Sequence, residues 1–300
     1  MNVLVTGSSG LIGSALVRDL ADEGHVVTRL LRSSSKGKTG GTAHWNPDTG
    51  TVDTAGLEGQ DAVVHLAGEN IAGASWSPER KKRIRESRVV GTRLLCESLL
   101  CLERPPNTLV SASATGIYGD RGEELLREES LQGKGFLAEV CREWEEATGE
   151  AARKGIRVVN LRIGMVLSAE GGALAKMLPA FRAGAGGRVG SGWQYMSWIA
   201  LPDLVGAIRH ALDTDSLLGP VNAVSPHPVP NREFAKALGR VLGRPTVAFL
   251  PAFAARLLFG EMADEMLLAS ARVAPAKLLA SGYRFRLPEV EGAIRYLLGR

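Results

Sequence analysis

The apolar positions of this chain fall into two alternating kinds of stretch. Short, nearly continuous apolar runs rich in β-branched residues read as strands buried on both faces. Longer stretches with apolar positions three and four apart read as amphipathic helices. Residues 2–5 (Asn2, Val3, Leu4, Val5) open the series as a strand, and a helical pattern follows over 14–23, with Gly24 as its C-cap. Residues 26–31 form the second strand, 41–53 a short strand and hairpin excursion, and 61–68 a central strand. A long helix covers 77–102, a strand ending in a hydroxyl-rich turn 108–119, a helix 137–153 and a strand 158–164. The glycine-rich stretch 183–193 reads as a mobile loop, 196–199 as a short apolar piece, 202–212 as a helix and 219–224 as a last strand.

From residue 230 the pattern turns helical. Asn231 reads as an N-cap, and Phe234, Leu238, Val241 and Leu242 share one apolar face. Further helical segments cover 252–259, 261–273, 275–281 and 287–298. Strands and helices alternating through short connections predict an α/β fold. The expectation is a Rossmann-type doubly wound parallel sheet of six or seven strands with a smaller, mainly helical C-terminal subdomain. The division is expected at 1–225 and 226–300, with 168–198 contributing to the smaller lobe.

The first strand runs into Thr6-Gly7-Ser8-Ser9-Gly10-Leu11-Ile12-Gly13 and then at once into a helix. Gly7 permits the tight turn, Gly10 lets backbone approach a pyrophosphate, and Gly13 lets helix and strand pack closely. The helix N-terminus offers free N–H groups and partial positive charge to that anion. A glycine-rich turn is weak evidence alone; between a strand and a helix it points to a dinucleotide, with Leu11 and Ile12 in the cradle. The second strand ends in Leu31-Arg32-Ser33-Ser34-Ser35-Lys36. About 20 residues beyond the glycines, NAD-binding folds place an acidic residue on the ribose 2′-OH. Here a cation and hydroxyls suit a 2′-phosphate, so NADP(H) is expected over NAD. Leu66, Ala67 and Gly68 end the central strand with small groups over which a cofactor can pass, and ligands of such sheets sit beyond the carboxyl ends of the strands.

Composition adds limits. The chain has 300 residues, 45% hydrophobic and 23% charged, with a net charge of +4, the profile of a globular protein. No apolar run is long enough to span a membrane, and the first strand begins too early for a signal peptide. The three cysteines, Cys96, Cys101 and Cys141, match no metal spacing and read as reduced thiols, so a cytoplasmic location and no metal are expected. Arg80, Lys81, Lys82, Arg83, Arg85 and Arg88 crowd the long helix, but Glu79 and Glu86 are interspersed and no aromatic ladder accompanies them. They read as a solvated face, not a nucleic-acid surface. His44 reads as structural.

The chain resembles the extended branch of the short-chain dehydrogenase/reductase superfamily, the NAD(P)-dependent epimerase/dehydratase type. The glycine turn, His65-Leu66-Ala67-Gly68, Arg88-Val89-Val90-Gly91-Thr92, Ser111 through Gly119, and Leu161 through Leu167 carry the resemblance. Within the branch it is similar to a poorly characterised "epimerase family protein" sub-branch with a C-terminal subdomain of unassigned function. Gly68-Glu69-Asn70, Gly190 through Gln194, Ser197-Trp198-Ile199 and Gly282 through Phe285 match that sub-branch. The resemblance implies a cofactor site at the glycine turn and a substrate pocket built by Glu69, Asn70, Gln194, Trp198 and the C-terminal helices.

The same resemblance implies a catalytic Tyr with a Lys four residues on, the Tyr acting as general acid/base. Four residues beyond Tyr118, Tyr195, Tyr283 and Tyr296 stand Gly122, Ile199, Leu287 and Arg300. The helix expected to carry the pair offers Phe136, Leu137, Val140 and Cys141 instead. Ser113, at the end of the preceding strand, and Tyr118 remain as candidate catalytic hydroxyls. Arg88 replaces the family's usual Asn, where a cation could reach cofactor phosphates or an acidic substrate. Ala200-Leu201-Pro202-Asp203 departs from the sub-branch's usual His before an acidic pair. Two readings stand: an NADP-dependent oxidoreductase or epimerase on an unknown small molecule with a rearranged proton donor, or a catalytically silent NADPH-binding sensor or regulatory protein. Either is expected to act as a monomer or homodimer.

Overall fold

The computed structural model describes residues 1–32 and 41–300. β1 (Asn2–Thr6) is buried beyond its first residue and feeds α1 (Leu11–Asp22), which Gly24 ends in a left-handed conformation at φ +79°. β2 (Val26–Arg32), β3 (Thr42–Asn46) and β4 (Thr51–Val52) extend one side of the sheet, the last two as the expected antiparallel hairpin. β5 (Ala62–His65), α2 (Pro78–Leu100) and β6 (Thr108–Ala114) take the chain to the other side. Ser77 caps α2, its Oγ accepting the Arg80 N–H at 3.2 Å. A 3₁₀ turn over Thr115–Tyr118 and the short β7 (Leu125–Leu126) lead to α3 (Phe136–Glu146) and α4 (Gly149–Arg153). The single helix expected over 137–153 is two, because the Thr148 hydroxyl donates to the Glu145 carbonyl at 2.7 Å and competes with the helical ladder.

β8 (Arg157–Ile163), β9 (Met165–Leu167), α5 (Gly172–Arg182), β10 (Gly187–Val189), β11 (Tyr195–Met196), β12 (Trp198–Ala200), α6 (Leu201–Asp213) and β13 (Gly219–Ala223) follow. The C-terminal part holds β14 (Val229–Pro230), α7 (Asn231–Leu242), β15 (Ala248–Leu250), α8 (Ala252–Phe259), a π-helical turn over Ala263–Leu268, β16 (Arg272–Val273), α9 (Ala276–Ala280) and α10 (Val290–Leu297). Among the described residues the main sheet has eight strands in the order β13-β8-β6-β5-β1-β2-β3-β4. All neighbours are parallel except β3 and β4. The strand order reverses between β1 and β5, so a crevice opens there beyond the carboxyl ends, where ligands of open α/β sheets bind.

Alternation along each strand sends side chains to two separate helical layers. Val3, Val5, Val64 and Val110 pack with Leu16 and Leu20 of α1 and with Leu204 and Ile208 of α6. Leu4, Val63 and Leu109 pack with Leu95 and Leu99 of α2 and Ala151 of α4. A further core joins Leu174, Leu178 and Phe181 of α5 to Trp198, to Phe234 and Leu238 of α7, and to Ile294 of α10.

Three further local expectations change. The stretch 183–193 contains β10, which pairs in parallel with β15; a Cβ on Gly187 would lie 1.7 Å from the Ala248 carbonyl oxygen, so only glycine allows that pairing. Asn231 is not the cap of α7: Pro230 holds that place, and Asn231 Oδ1 accepts the Val189 N–H at 2.8 Å, pinning β10. The helix expected over 261–273 stops at the π-helical turn, because Ser270 is drawn onto Asp120 (N–H to Oδ1, 3.0 Å) and β16 pairs with β7.

Candidate dinucleotide site at the carboxyl edge of the sheet

The turn between β1 and α1 is shaped by what it leaves out. Gly7 has φ +64°, and a Cβ there would come within 2.8 Å of the Leu66 carbonyl. A Cβ on Gly13 would lie 2.2 Å from the Gly7 oxygen, whereas one on Gly10 would meet only that oxygen, at 3.3 Å, on an exposed surface. The first intrahelical bond runs from the Ser14 N–H to the Gly10 carbonyl at 2.9 Å, so the N–H groups of Leu11, Ile12 and Gly13 precede the ladder. No side chain caps this helix. Ser8 Oγ is buried without a hydrogen-bond partner. Free donors, an uncompensated helix dipole and an open surface at Gly10 are what a dinucleotide pyrophosphate needs.

Arg32 is exposed at the end of β2, the neighbouring strand, and Leu31 beside it is half-buried. Its expected companions Ser33, Ser34, Ser35 and Lys36 lie outside the described residues. On the other side of β1, the N–H groups of Leu66 and Ala67 both donate to Thr6 Oγ1, at 3.0 and 3.1 Å, which fixes the chain as it leaves β5. With two donors already on that oxygen, the Thr6 hydroxyl gives its proton to His65 Nδ1 at 2.8 Å. His65 Nε2–H then donates to Thr92 Oγ1 at 2.9 Å, and Trp144 Nε1–H donates to the same oxygen at 2.9 Å. Burial pushes the His65 imidazole down to about 4, so it is neutral.

Trp144 in turn carries Arg88. The guanidinium carbon lies 5.0 Å from the indole centroid, and Nη1 donates to the Ile84 carbonyl at 3.2 Å. Gly68 abuts the same group: a Cβ there would be 3.3 Å from the guanidinium carbon. Desolvation lowers the Arg88 pKa from its ordinary value, and Cys141 and Glu69 nearby oppose this. Among the described residues Arg88 makes no salt bridge with any carboxylate.

The two hydroxyls expected to act in catalysis sit in the packed interior. Ser113 Oγ donates to Glu145 Oε1 at 2.7 Å. Glu145 is held by Arg162 through a two-pronged ion pair of 2.8 and 2.9 Å, with Arg162 buried and Glu145 nearly so. Tyr118 is fully buried; its hydroxyl donates to Asn222 Oδ1 at 2.7 Å and accepts from Arg162 Nη1 at 2.9 Å. Both protons are therefore spent inside the protein, and Tyr118 shapes the fold. The hydroxyl that sequence reasoning passed over is Thr115. It opens the turn at the carboxyl end of β6, is half-buried, and has no hydrogen-bond partner among the described residues. Its signal was position, one step beyond the strand instead of within it. Facing that turn, Gly116 meets Leu137 and Cys141 of α3. Burial pushes the Cys141 thiol up to about 12.

Of the expected substrate residues, Glu69 and Asn70 lie at the crevice rim. Glu69 Oε1 pairs with Arg80 at 3.4 Å, and Asn70 Oδ1 accepts the Ala72 N–H at 2.9 Å. Gln194 and Trp198 are braces, not lining groups. Gln194 Nε2 donates to the Val189 and Leu267 carbonyls, both at 2.9 Å, and Trp198 is wholly buried with its Nε1–H on the His227 carbonyl. The C-terminal part also reaches the site's framework. Glu265 accepts the Phe136 and Leu137 N–H groups at 2.7 and 2.8 Å, capping α3, and Glu261 pairs with Lys81 of α2 at 2.8 Å. An open concavity of about 570 Å³ lies beside these contacts and shares no residue with the glycine turn. No described helix is long and apolar enough to cross a membrane, and no described group of three His, Cys, Asp or Glu could hold a metal.

A doubly wound parallel sheet with a glycine-lined, donor-rich turn at its switch point defines a Rossmann-type dinucleotide-binding protein. The comparisons agree. Residues 3–223 match the model of the NAD dependent epimerase/dehydratase family, and 250–297 match a domain of unknown function, DUF1731. The chain belongs to the NAD dependent epimerase/dehydratase family. It is 44% identical over 298 residues to "Epimerase family protein Mb2239" of Mycobacterium bovis, covering 99% of this chain and 98% of that one. The solved structure of human epimerase family protein SDR39U1 (isoform 2) with NADPH superposes with a TM-score of 0.90 at 34% identity, over the whole of both chains. A structure titled nucleoside-diphosphate sugar epimerase, from Corynebacterium glutamicum, gives 0.82 at 39% identity, covering all of this chain and 58% of that one.

Proposed function

We propose that this chain binds NADPH along the β2–β1–β5 edge and acts with it on a small molecule as an oxidoreductase or epimerase. The observation that carries the reading is the uncapped first turn of α1, set behind glycines that no side chain can replace. The N–H groups of Leu11, Ile12 and Gly13 would hold the pyrophosphate, and Arg32 the 2′-phosphate beside Leu31. Leu66, Ala67 and Gly68 would flank the cofactor on its way to β6. The human relative solved with NADPH supports the same choice of dinucleotide. When bound, the cofactor would supply or accept hydride at its nicotinamide.

What this chain adds to that chemistry is limited. The residues of α3 that face the turn after β6 are Leu137 and Cys141, neither of them a Tyr or Lys. Thr115 offers a free hydroxyl but no adjacent base. Losing a positioned general acid typically forfeits about 10²–10⁴ in rate. Reduction of ordinary carbonyls or nucleotide-sugars is therefore expected to be absent or very slow. The same gap favours the second reading, a catalytically silent NADPH sensor. Fluorescence titration tests the cofactor choice. A charge-assisted contact is worth about 1.5–3 kcal/mol, so Arg32→Ala should weaken NADPH roughly 10- to 100-fold and spare NADH. Equal losses for both would remove the argument. Substrate-dependent oxidation of NADPH then separates the enzyme from the sensor.

A further inference from the structure

We propose that the apolar surface of β15 and α8 is a docking face for an anionic lipid bilayer, on which the C-terminal part of the chain lies. The proposal is independent of the dinucleotide reading, since the glycine turn uses none of these residues.

Among the described residues fifteen large apolar side chains are exposed, and five of them, Val247, Phe249, Phe253, Leu257 and Leu258, fall within residues 247–258. Val247 and Phe249 stand two apart on the strand and share its outer side. Phe253 and Leu257 stand four apart on α8, one turn above the other, with Leu258 beside them. Only Pro251 separates the strand from the helix. A folded monomer rarely leaves such a cluster in water. The degree of exposure says what kind of partner this face takes. Val247 is 87% exposed, Leu257 85% and Phe253 72%, so each touches little of its own protein. Side chains that line a groove for a peptide are half-covered by its walls. These project, as residues that enter a lipid headgroup layer do. They are also held firmly: β15 pairs with β10, and Glu261, just beyond α8, pairs with Lys81 of α2 at 2.8 Å.

Charge names the surface. From Phe234 to Gly260 the chain carries Lys236, Arg240, Arg244 and Arg256 and no acidic residue. Arg188 of β10 is in register with Phe249 and lays its guanidinium carbon 4.7 Å from that ring. Arg188 and Arg244 are exposed and make no ion pair among the described residues. The acids flanking the stretch are already engaged: Glu233 by Lys236, Glu261 by Lys81 and Asp264 by Arg256. Phenylalanine and leucine edged by free arginines complement a bilayer with anionic headgroups, which takes the rings and chains into its interface and the cations onto its phosphates. A second copy of this chain fits less well, because a twofold contact sets the same positively charged rim against itself. The contact is peripheral, since no described helix is long and apolar enough to cross a membrane.

The test is co-sedimentation of the full chain with vesicles of phosphatidylcholine, alone or with one quarter phosphatidylglycerol, beside gel filtration with light scattering. Wild type should sediment with the anionic vesicles, bind the neutral ones roughly tenfold more weakly, and be released by high salt. Phe253→Ser with Leu257→Ser should lower affinity for the anionic vesicles roughly tenfold or more. Arg188→Glu with Arg244→Glu should lower it about tenfold, and serves if the serine pair does not fold. Thermal unfolding at the wild-type midpoint checks that each variant is intact. Wild type that stays in the supernatant with anionic vesicles overturns the proposal and leaves the face to an acidic protein. Binding that neither pair of substitutions weakens also overturns it. So does a dimer in solution that Phe253→Ser with Leu257→Ser splits, since a second copy then covers the face.

Discussion

Arg88 and Arg162 are both arginines drawn in from solvent near the ends of the parallel strands, and they are treated in opposite ways. Arg162 is met on every side: Glu145 takes two of its N–H groups, and the Tyr118 hydroxyl and the Glu128 carbonyl share a third nitrogen, both at 2.9 Å. Arg88 leans on an indole ring, with Nη1 on the Ile84 carbonyl at 3.2 Å and on Ser87 Oγ at 3.5 Å, and no carboxylate pairs with it among the described residues. A buried charge with a full set of partners is a structural joint. One with most of its partners missing marks a place where something else is meant to sit.

The contrast has measurable consequences. The largest concerns Arg162. Removing one member of a buried ion pair strands the other, at a cost of about 3–5 kcal/mol. Arg162→Ala should lower the unfolding free energy obtained from urea denaturation by that much, whereas Arg88→Ala should cost less than about 1 kcal/mol, since no buried anion is orphaned. Equal losses would erase the distinction. The next effect is on pH. His65 titrates near 4 when folded against 6.5 unfolded. Between those values the unfolded chain binds more protons, so stability is whole above pH 6.5 and falls as the pH drops toward 4. This one group should cost about 3 kcal/mol over that window. The shelf under Arg88 hangs on this titratable group through Thr92 and Trp144. His65→Asn should flatten the component in denaturation curves taken from pH 7 to 4. The smallest effect is at Ser113. Glu145 keeps Arg162 without it, so Ser113→Ala should cost about 1 kcal/mol and leave NADPH affinity unchanged. A large fall in cofactor affinity would put Ser113 back at the crevice.

The glycine turn, the strand series and the helices of both layers were legible because their signals are local. Period and turn chemistry sit within a dozen neighbouring positions. The burial of Ser113 and Tyr118 was not legible because their partners are remote: Glu145 is 32 residues from Ser113, and Asn222 is 104 from Tyr118. No spacing rule reports such contacts. Trp198 and Gln194 looked like pocket residues because an aromatic and an amide in a glycine-rich segment resemble a ligand rim. They brace that segment from inside, tying it to the Val189, Leu267 and His227 carbonyls. Arg88 was legible as a departure, but its freedom became visible only once every nearby carboxylate had been placed.

The cap on α3 has a consequence in time. Glu265 is made 129 residues after the Phe136 N–H that it accepts. At roughly 5–20 residues per second on the ribosome, the first turn of α3 waits roughly 6 to 26 s for its carboxylate. The helix whose residues back the crevice is thus completed by the DUF1731-matching part of the chain. That part belongs to the finishing of the parallel sheet's helical layer as well as to the lobe it builds.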